Sequence, residues 1–217
     1  MTWSGVIAVS GLHGSGRSTH ARMLAQAFNL RYVSAGQLFR EFAAQKGLAV
    51  HELGESLRQD RALDEFIDRR TREEASKGGV VLDGDLSAWI AGPLADVKIF
   101  LTAPDEERFK RLSKRDHRPL ETVREETLRR EASDRERFRN FYGIAFEDIS
   151  IYDIILNTGR LPRESVFKVL KTLVEEYLGT TRLRSVGERT RGESGGDVTD
   201  DRSRTGLRQD GREGARL

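Results

Sequence analysis

The chain has 217 residues, a formal charge of +2 and no cysteine, which excludes a disulfide scaffold and a Cys-ligated metal site. Basic and acidic residues balance at 28 each through Leu178, and the surplus falls in the last 39 residues, with nine Arg against seven Asp and Glu; this charge supplies no clustered basic face for a nucleic-acid-binding body. The apolar run at residues 6–9 is far too short to span a membrane, and no basic segment followed by an apolar one opens the chain, so the expected location is the cytoplasm.

In chain order, residues 3–10 (WSGVIAVS) read as a short buried strand, followed by a glycine-rich turn and an apolar-periodic helix through Ala21, Leu24, Ala25 and Phe28. Residues 31–34 are a second short strand, ending at Ala35-Gly36. Helical periodicity fills residues 37–77, with breaks near Gly47 and Gly54, until Gly78-Gly79 stops it. Residues 80–82 are a third strand ending in Asp83-Gly84. Residues 97–101 are a fourth, with Pro104 at the start of the next helix. Residues 108–142 form a long, highly charged helical stretch interrupted at Pro119. Residues 154–156 are a fifth strand, and Pro162 opens a last amphipathic helix to about Leu178. Strands alternating with helices predict an α/β fold with a largely parallel sheet covered on both faces. Residues 179–217 hold eight Gly and nine Arg and too little apolar surface to offset ordering entropy, so a disordered Arg/Gly-rich tail is expected. A weak electrostatic contact of this tail with RNA is the alternative to a solvated one.

Gly11-Leu12-His13-Gly14-Ser15-Gly16-Arg17-Ser18 matches G-x-x-x-x-G-K-[ST] at every position except the Lys, with a strand before it and a helix after it. Glycines let such a loop wrap closely and aim successive N–H groups at an anion, beside a helix N-terminus that also favours one. Ser18 is the expected Mg²⁺ ligand, and Thr19 a helix cap or a contact to the α-phosphate. A glycine-rich turn without ligand would not need all these positions in this context. Arg17 keeps the positive charge but presents a long planar fork where the motif has a compact ammonium, which is not a conservative exchange.

A second anion site is expected where Ser34-Ala35-Gly36 opens a helix carrying Arg40 about one turn in. Two phosphate sites in one small unit suggest a donor and an acceptor. Asp83, at the end of an apolar strand, is placed to hold Mg²⁺ through water; a plain turn Asp is the competing reading. Arg108, Arg111, Arg115, Arg129, Arg130, Arg135 and Arg137 interleave with Glu and Asp along residues 108–142. Such a pattern fits a solvated, salt-bridged helix, or a mobile lid whose arginines neutralise charge on a moving phosphoryl group.

The SAG-x-x-FRE run from Ser34, the segment Asp64 to Arg70, and the FYGI…SIYD…NT stretch from Phe141 to Thr158 resemble archaeal-type cytidylate kinases, over about residues 5–178. The resemblance implies the P-loop nucleoside-monophosphate-kinase fold: a five-stranded parallel sheet, a helical acceptor-binding insert at about 36–77 and a lid at about 115–142. It implies transfer of the γ-phosphoryl group of ATP to CMP or dCMP with Mg²⁺. The sequence is silent on oligomeric state, and a monomer is the simple expectation. Carried over by position, Gly11, Leu12, His13, Gly14, Ser15, Gly16, Arg17, Ser18 and Thr19 hold the ATP phosphates. Ser34, Gly36, Arg40, Asp64, Asp68 and Arg69 line the acceptor side, where Asp64, Asp68 and Arg69 read on sequence alone as an exposed helix face. Arg111 and Arg115 precede the lid, and Arg130 and Arg135 follow it. Asp85 departs from the pattern, since many relatives place a basic residue there: it points away, pairs with a lid Arg or lowers acceptor affinity. Other acceptors (AMP, UMP or a small hydroxyl substrate such as shikimate) remain open at this level, as does a nucleotide-binding regulator or RNA-associated protein with weakened turnover.

Overall fold

The computed structural model describes residues 3–46 and 61–192, of which 179–192 are described for the backbone alone. The chain divides after Leu178; the first unit holds the sheet and the helices around it.

Five parallel strands run β2-β3-β1-β4-β5, with β1 (Val6–Gly11) central, β2 (Arg31–Ser34), β3 (Val80–Asp83), β4 (Val97–Thr102) and β5 (Ile154–Asn157). The helices are α1 (Arg17–Ala27), α2 (Ala35–Gln45), α3 (Arg61–Ser76), α4 (Ser87–Ala91), α5 (Asp105–Asp116), α6 (Leu120–Tyr142) and α7 (Arg163–Gly192), with a 3₁₀ turn at Gly92–Leu94. Successive side chains of a strand face opposite sides, and in β1 both sides are apolar. Ile7 and Val9 pack with Leu24, Ile99, Leu101, Leu170 and Val174, under α1 and α7. Val6 and Ala8 pack with Ala75, Leu82, Phe100, Phe138 and Phe146, under α3 and α6. A third cluster, Leu38, Phe42, Leu63 and Phe66, joins α2 to α3.

The expected strands are all present, β2 at its expected bounds and the others shifted at one or both ends by one to three residues. α2 begins at Ala35, two residues early, because Ser34 caps it: the Ser34 hydroxyl accepts from the Gln37 backbone N–H at 3.2 Å and the Gln37 side chain accepts from the Ser34 N–H at 3.0 Å. The expected breaks at Gly47 and Gly54 lie outside the described residues. The charged stretch is two helices, separated at His117, whose φ of 53° is left-handed, and at Pro119, which precedes α6. α4 was not expected. α7 continues past Leu178 to Gly192: once its packed half has formed, propagation needs only one hydrogen bond per residue, and no proline follows. The rest of the expected tail, 193–217, lies outside the described residues.

His20 in α1 is 3% exposed. Burial, with Arg111 and Arg163 adding to it, lowers its pKa from 6.5 to about 4. The group is neutral when folded, so its contribution is complete above pH 6.5 and is lost as pH falls through 4. Between pH 7 and 4 wild type should lose about 3 kcal/mol more than His20→Gln, read as a steeper fall in Tm; superimposable pH–Tm curves would remove His20 from the acid response.

Candidate active site

Parallel strands end on one edge, to which β1, β2 and β3 bring Gly11, Ser34 and Asp83 as their last residues. Asp83 is registered between Val9 of β1 and Ser34 of β2. With strands about 4.8 Å apart, β1 and β2, which lead into α1 and α2, lie roughly 10 Å from one another on the two sides of β3 and Asp83.

The loop between β1 and α1 keeps its shape through its glycines. Gly14 (φ 78°) lies so close to α5 that a Cβ would stand 2.6 Å from the Arg108 carbonyl oxygen, and Gly11 (φ 147°) so close to β4 that a Cβ would meet the Leu101 oxygen at 2.2 Å. Leu12 N–H donates to that Leu101 oxygen at 3.1 Å, and Ser15 N–H to the Leu12 oxygen at 3.1 Å. Gly16 caps α1 with no side-chain acceptor, so the first N–H groups of the helix stay available to an anion. Leu12, His13, Gly14, Gly16, Arg17, Ser18 and Thr19 line a cavity of about 910 Å³. Gly11 and Ser15 are buried behind them.

Six arginines line this cavity (Arg17, Arg111, Arg115, Arg118, Arg129 and Arg130) against three carboxylates, Asp116, Glu126 and Asp134. The surplus suits a polyanion. The arginines are held in different ways. Arg111 donates to the Thr158 hydroxyl and carbonyl, both at 2.9 Å, and Thr158 donates to the Ser15 carbonyl at 2.7 Å; the β5 end thus fixes a cation beside the loop. Arg115 bonds its neighbour Asp116 at 2.6 and 2.8 Å. Arg130 is half exposed and lies 3.5 Å from Asp134. Arg135 faces Glu147 at 3.2 Å and lies with Asp85 and His13 beside a separate small pocket. The structure therefore brings Arg111, Arg115 and Arg130 to the large cavity and leaves Arg135 outside it.

Arg17 does not extend along the loop as a free cation. Its Nε donates to Asp83 Oδ1 at 2.8 Å, and its Nη1 to the Gly11 carbonyl at 2.9 Å and to Asp85. Of the alternatives for Asp85, pairing is the one found, with the loop Arg17 in place of a lid arginine. Burial works against the Asp85 charge, but Arg17 overcomes it and holds the carboxyl at about 2. Burial likewise opposes the Arg17 charge, and Asp85 and Asp83 raise its pKa above the ordinary value.

Asp83 is 3% exposed and takes a second bond, from the Tyr32 hydroxyl to Oδ2 at 2.6 Å. Burial and Asp83 push that phenol up to about 12. Each Asp83 oxygen keeps a further lone pair, so the carboxylate fits a role toward Mg²⁺-bound water, with the Ser18 hydroxyl on the cavity wall as direct ligand. His13, Asp85 and Asp134 also bring one ligand atom each within 4.8 Å of one another. There Arg17 attends Asp85, and Arg130 and Arg137 attend Asp134.

On the α2 side, Ser34 is spent as the helix cap. Arg40 is exposed and folds back over the first turn, its Nη1 3.7 Å from where a Gly36 Cβ would stand. Asp64 and Asp68 are buried rather than on an exposed face. Asp64 meets Arg137 of α6 at 3.3 Å. Burial raises Asp68 to about 6, against a hydrogen bond with Tyr142. Arg69 is not brought in: its side chain is 66% exposed, 3.8 Å from Glu73.

Sequence reasoning missed the group that ties α6 to the loop. Arg108, 2% exposed, donates to the His13 carbonyl at 2.7 Å and to Glu131 at 2.7 and 3.3 Å. Glu131 also accepts from the His13 N–H at 3.3 Å and lies 3.3 Å from the His13 ring. One Arg and one Glu among the nineteen Lys, Arg, Asp and Glu of residues 108–142 carry no signal of which pair is buried.

Residues 6–160 match the model of the cytidylate kinase-like family. The cytidylate kinase of Staphylothermus marinus is 45% identical over 173 residues, 80% of this chain and 98% of that protein. That of Ignicoccus hospitalis is 42% identical over 169 residues, 78% of this chain and 98% of its own length. Among solved structures, a shikimate kinase from Bacteroides thetaiotaomicron superposes with a TM-score of 0.54 at 17% identity, covering 79% of this chain and 98% of that one, a likeness of fold alone. Sheet order, loop and sequence agree: the chain belongs to the cytidylate kinase-like family.

Proposed function

We propose that the protein transfers the γ-phosphoryl group of ATP to CMP or dCMP, giving ADP and CDP or dCDP. The observation that supports this reading is the pair of helix starts, α1 after the glycine loop and α2 under Arg40, fed by the strands on the two sides of β3 and Asp83. Family membership supplies the acceptor base. ATP phosphates lie along residues 11–19 and against Arg111 and Arg115; Arg40 holds the acceptor phosphate over Gly36. An oxygen of that phosphate attacks the γ-phosphorus in line, the new P–O bond forms as the bond to the β-phosphate oxygen breaks, and ADP leaves with the electron pair. Little covalent work falls to the protein, which positions two anions and neutralises charge. Mg²⁺, held by Ser18 and through water by Asp83, supplies further charge neutralisation on the phosphates when bound. Arg130, half exposed on α6, is free to swing toward the moving group; Arg135 reaches it only if α6 shifts. Residues 36–77 form the acceptor-binding insert and residues 115–142 the lid.

Within this reading the enzyme is a cytoplasmic monomer; no helix among the described residues is long and apolar enough to cross a membrane. The shikimate kinase likeness is one of fold, and lends no support to a small hydroxyl acceptor. Steady-state assays with ATP, Mg²⁺ and each nucleoside monophosphate test the proposal. CMP and dCMP should give the highest kcat/KM, UMP a lower value, and AMP and GMP lower still. AMP as best acceptor would keep the kinase and remove the cytidylate assignment; no transfer to any acceptor would remove both.

A further inference from the structure

We infer that Asp85 is a positioning residue for Arg17, and that the two act as one unit in place of the single lysine that the loop motif calls for. The inference rests on the kinase reading for its meaning, and on geometry for its substance.

A P-loop lysine is a point charge with three donors on a flexible stem, able to find phosphate wherever it lies within reach. A guanidinium is planar, and its five donors point in fixed directions. In this chain three of the five are spent inside the protein: Nε on Asp83, and the two Nη1 hydrogens on the Gly11 carbonyl and Asp85. The remaining pair, on Nη2, has no hydrogen-bond partner among the described residues, and Arg17 lies on the wall of the cavity. Asp83 and Gly11 hold the Nε hydrogen and one Nη1 hydrogen, and Asp85 takes the second Nη1 hydrogen, a third and charged anchor for the plane. The Arg17 and Asp85 side chains are 17% and 21% exposed, so little water competes for the contact.

The charge count leads to the same pairing. Asp83 and Asp85 together bring two negative charges to a place built for phosphate, and Arg17 offsets one. An acid beside a phosphate site is costly unless it does something the site needs. What it does here is orient the fork, so its value depends on an arginine at position 17. With lysine there, no plane needs holding, and Asp85 only repels the nucleotide.

The test is a double-mutant cycle in the full-length chain with Arg17→Lys, Asp85→Ala and the double variant, plus Asp85→Asn, which keeps an acceptor oxygen at the same place. For each, kcat, KM for ATP and the ATP dissociation constant by calorimetry are measured, with Tm as the control for folding. Asp85→Ala alone should lower kcat about tenfold and weaken ATP several-fold, in the range of couplings for residues in contact. In the Arg17→Lys background the same change should be neutral or favourable, and Asp85→Asn should recover part of the loss. A structural role for Asp85 would lower Tm and activity alike in both backgrounds. Equal losses in the two backgrounds, or no loss in wild type, would overturn the inference. Coupling in ATP binding with no transfer to any nucleoside monophosphate in wild type would keep the pairing and remove the kinase reading.

Discussion

Glu131→Ala is expected to destabilise the folded unit by about 3–5 kcal/mol, the cost of leaving one member of a buried ion pair alone. Arg108 is 2% exposed and cannot turn to water, and losing Glu131 leaves it with Asp105 and the His13 carbonyl. The His13 N–H loses its acceptor at the same time. In wild type burial raises the Glu131 pKa, but the bonds from His13 and Arg108 outweigh it and the carboxyl stays below its ordinary value, so the pair is ionic at neutral pH. Urea unfolding should give a lower midpoint with an unchanged slope. Replacing both partners by apolar residues, Arg108→Met with Glu131→Leu, should recover much of the loss, because the penalty lies in the unpaired charge. A loss below 1 kcal/mol for Glu131→Ala alone would mean that Asp105 satisfies Arg108 unaided.

The pair also shows why some of this site was legible in sequence and some was not. The loop from Gly11 to Thr19 could be read because its shape is local: Gly14 and Gly16 need positive φ and close approach, and a sequence displays that need within eight residues. β2 could be read because a short β-favouring run is bounded by a helix end and a capping Ser34. α4 could not. It has five residues, too few for a helical period, and Ser87, Ala88 and Ala91 are buried against β1, where the Ala88 N–H donates to the Ser10 hydroxyl at 3.3 Å.

The partners of charged residues were the least legible part. Arg17 and Asp85 are 68 residues apart, and Thr158 and Ser15 143 apart. These pairs exist because parallel strands end on one edge, a property of sheet order rather than of any local pattern. Asp64 and Asp68 read on sequence alone as an exposed helix face, yet α6 covers them; the helix that buries them lies more than fifty residues later. Charge spacing along α5 and α6 marked many arginines alike, while the fold sorts them into one that is buried structure (Arg108), one fixed at the cavity (Arg111) and one left half free (Arg130).

Arg40→Ala should raise the KM for CMP by roughly ten- to hundredfold, the worth of a charge-assisted hydrogen bond of about 1.5–3 kcal/mol, and lower kcat as well. The Ser34–Gln37 capping box takes the Ser34 N–H and the Gln37 N–H, so the donors left at this helix start are those of Ala35 and Gly36, the turn over which the Arg40 guanidinium folds. An acceptor phosphate there would meet backbone N–H groups from below and Arg40 from above. The contact forms before reaction, hence the effect on KM. It also aims the attacking oxygen, hence the effect on kcat. Arg40→Lys should fall between, because an ammonium keeps the charge and loses the bidentate geometry. ATP binding should stay near wild type, since β3 lies between the strands that lead into the two helices, which are about 10 Å apart. Arg40 is exposed and has no hydrogen bond or ion pair among the described residues, so Tm should move by less than about 0.5 kcal/mol would move it. If Arg40→Ala weakened ATP and CMP equally, the two helix starts would not be separate donor and acceptor sites, and the assignment of CMP to α2 would fail with them.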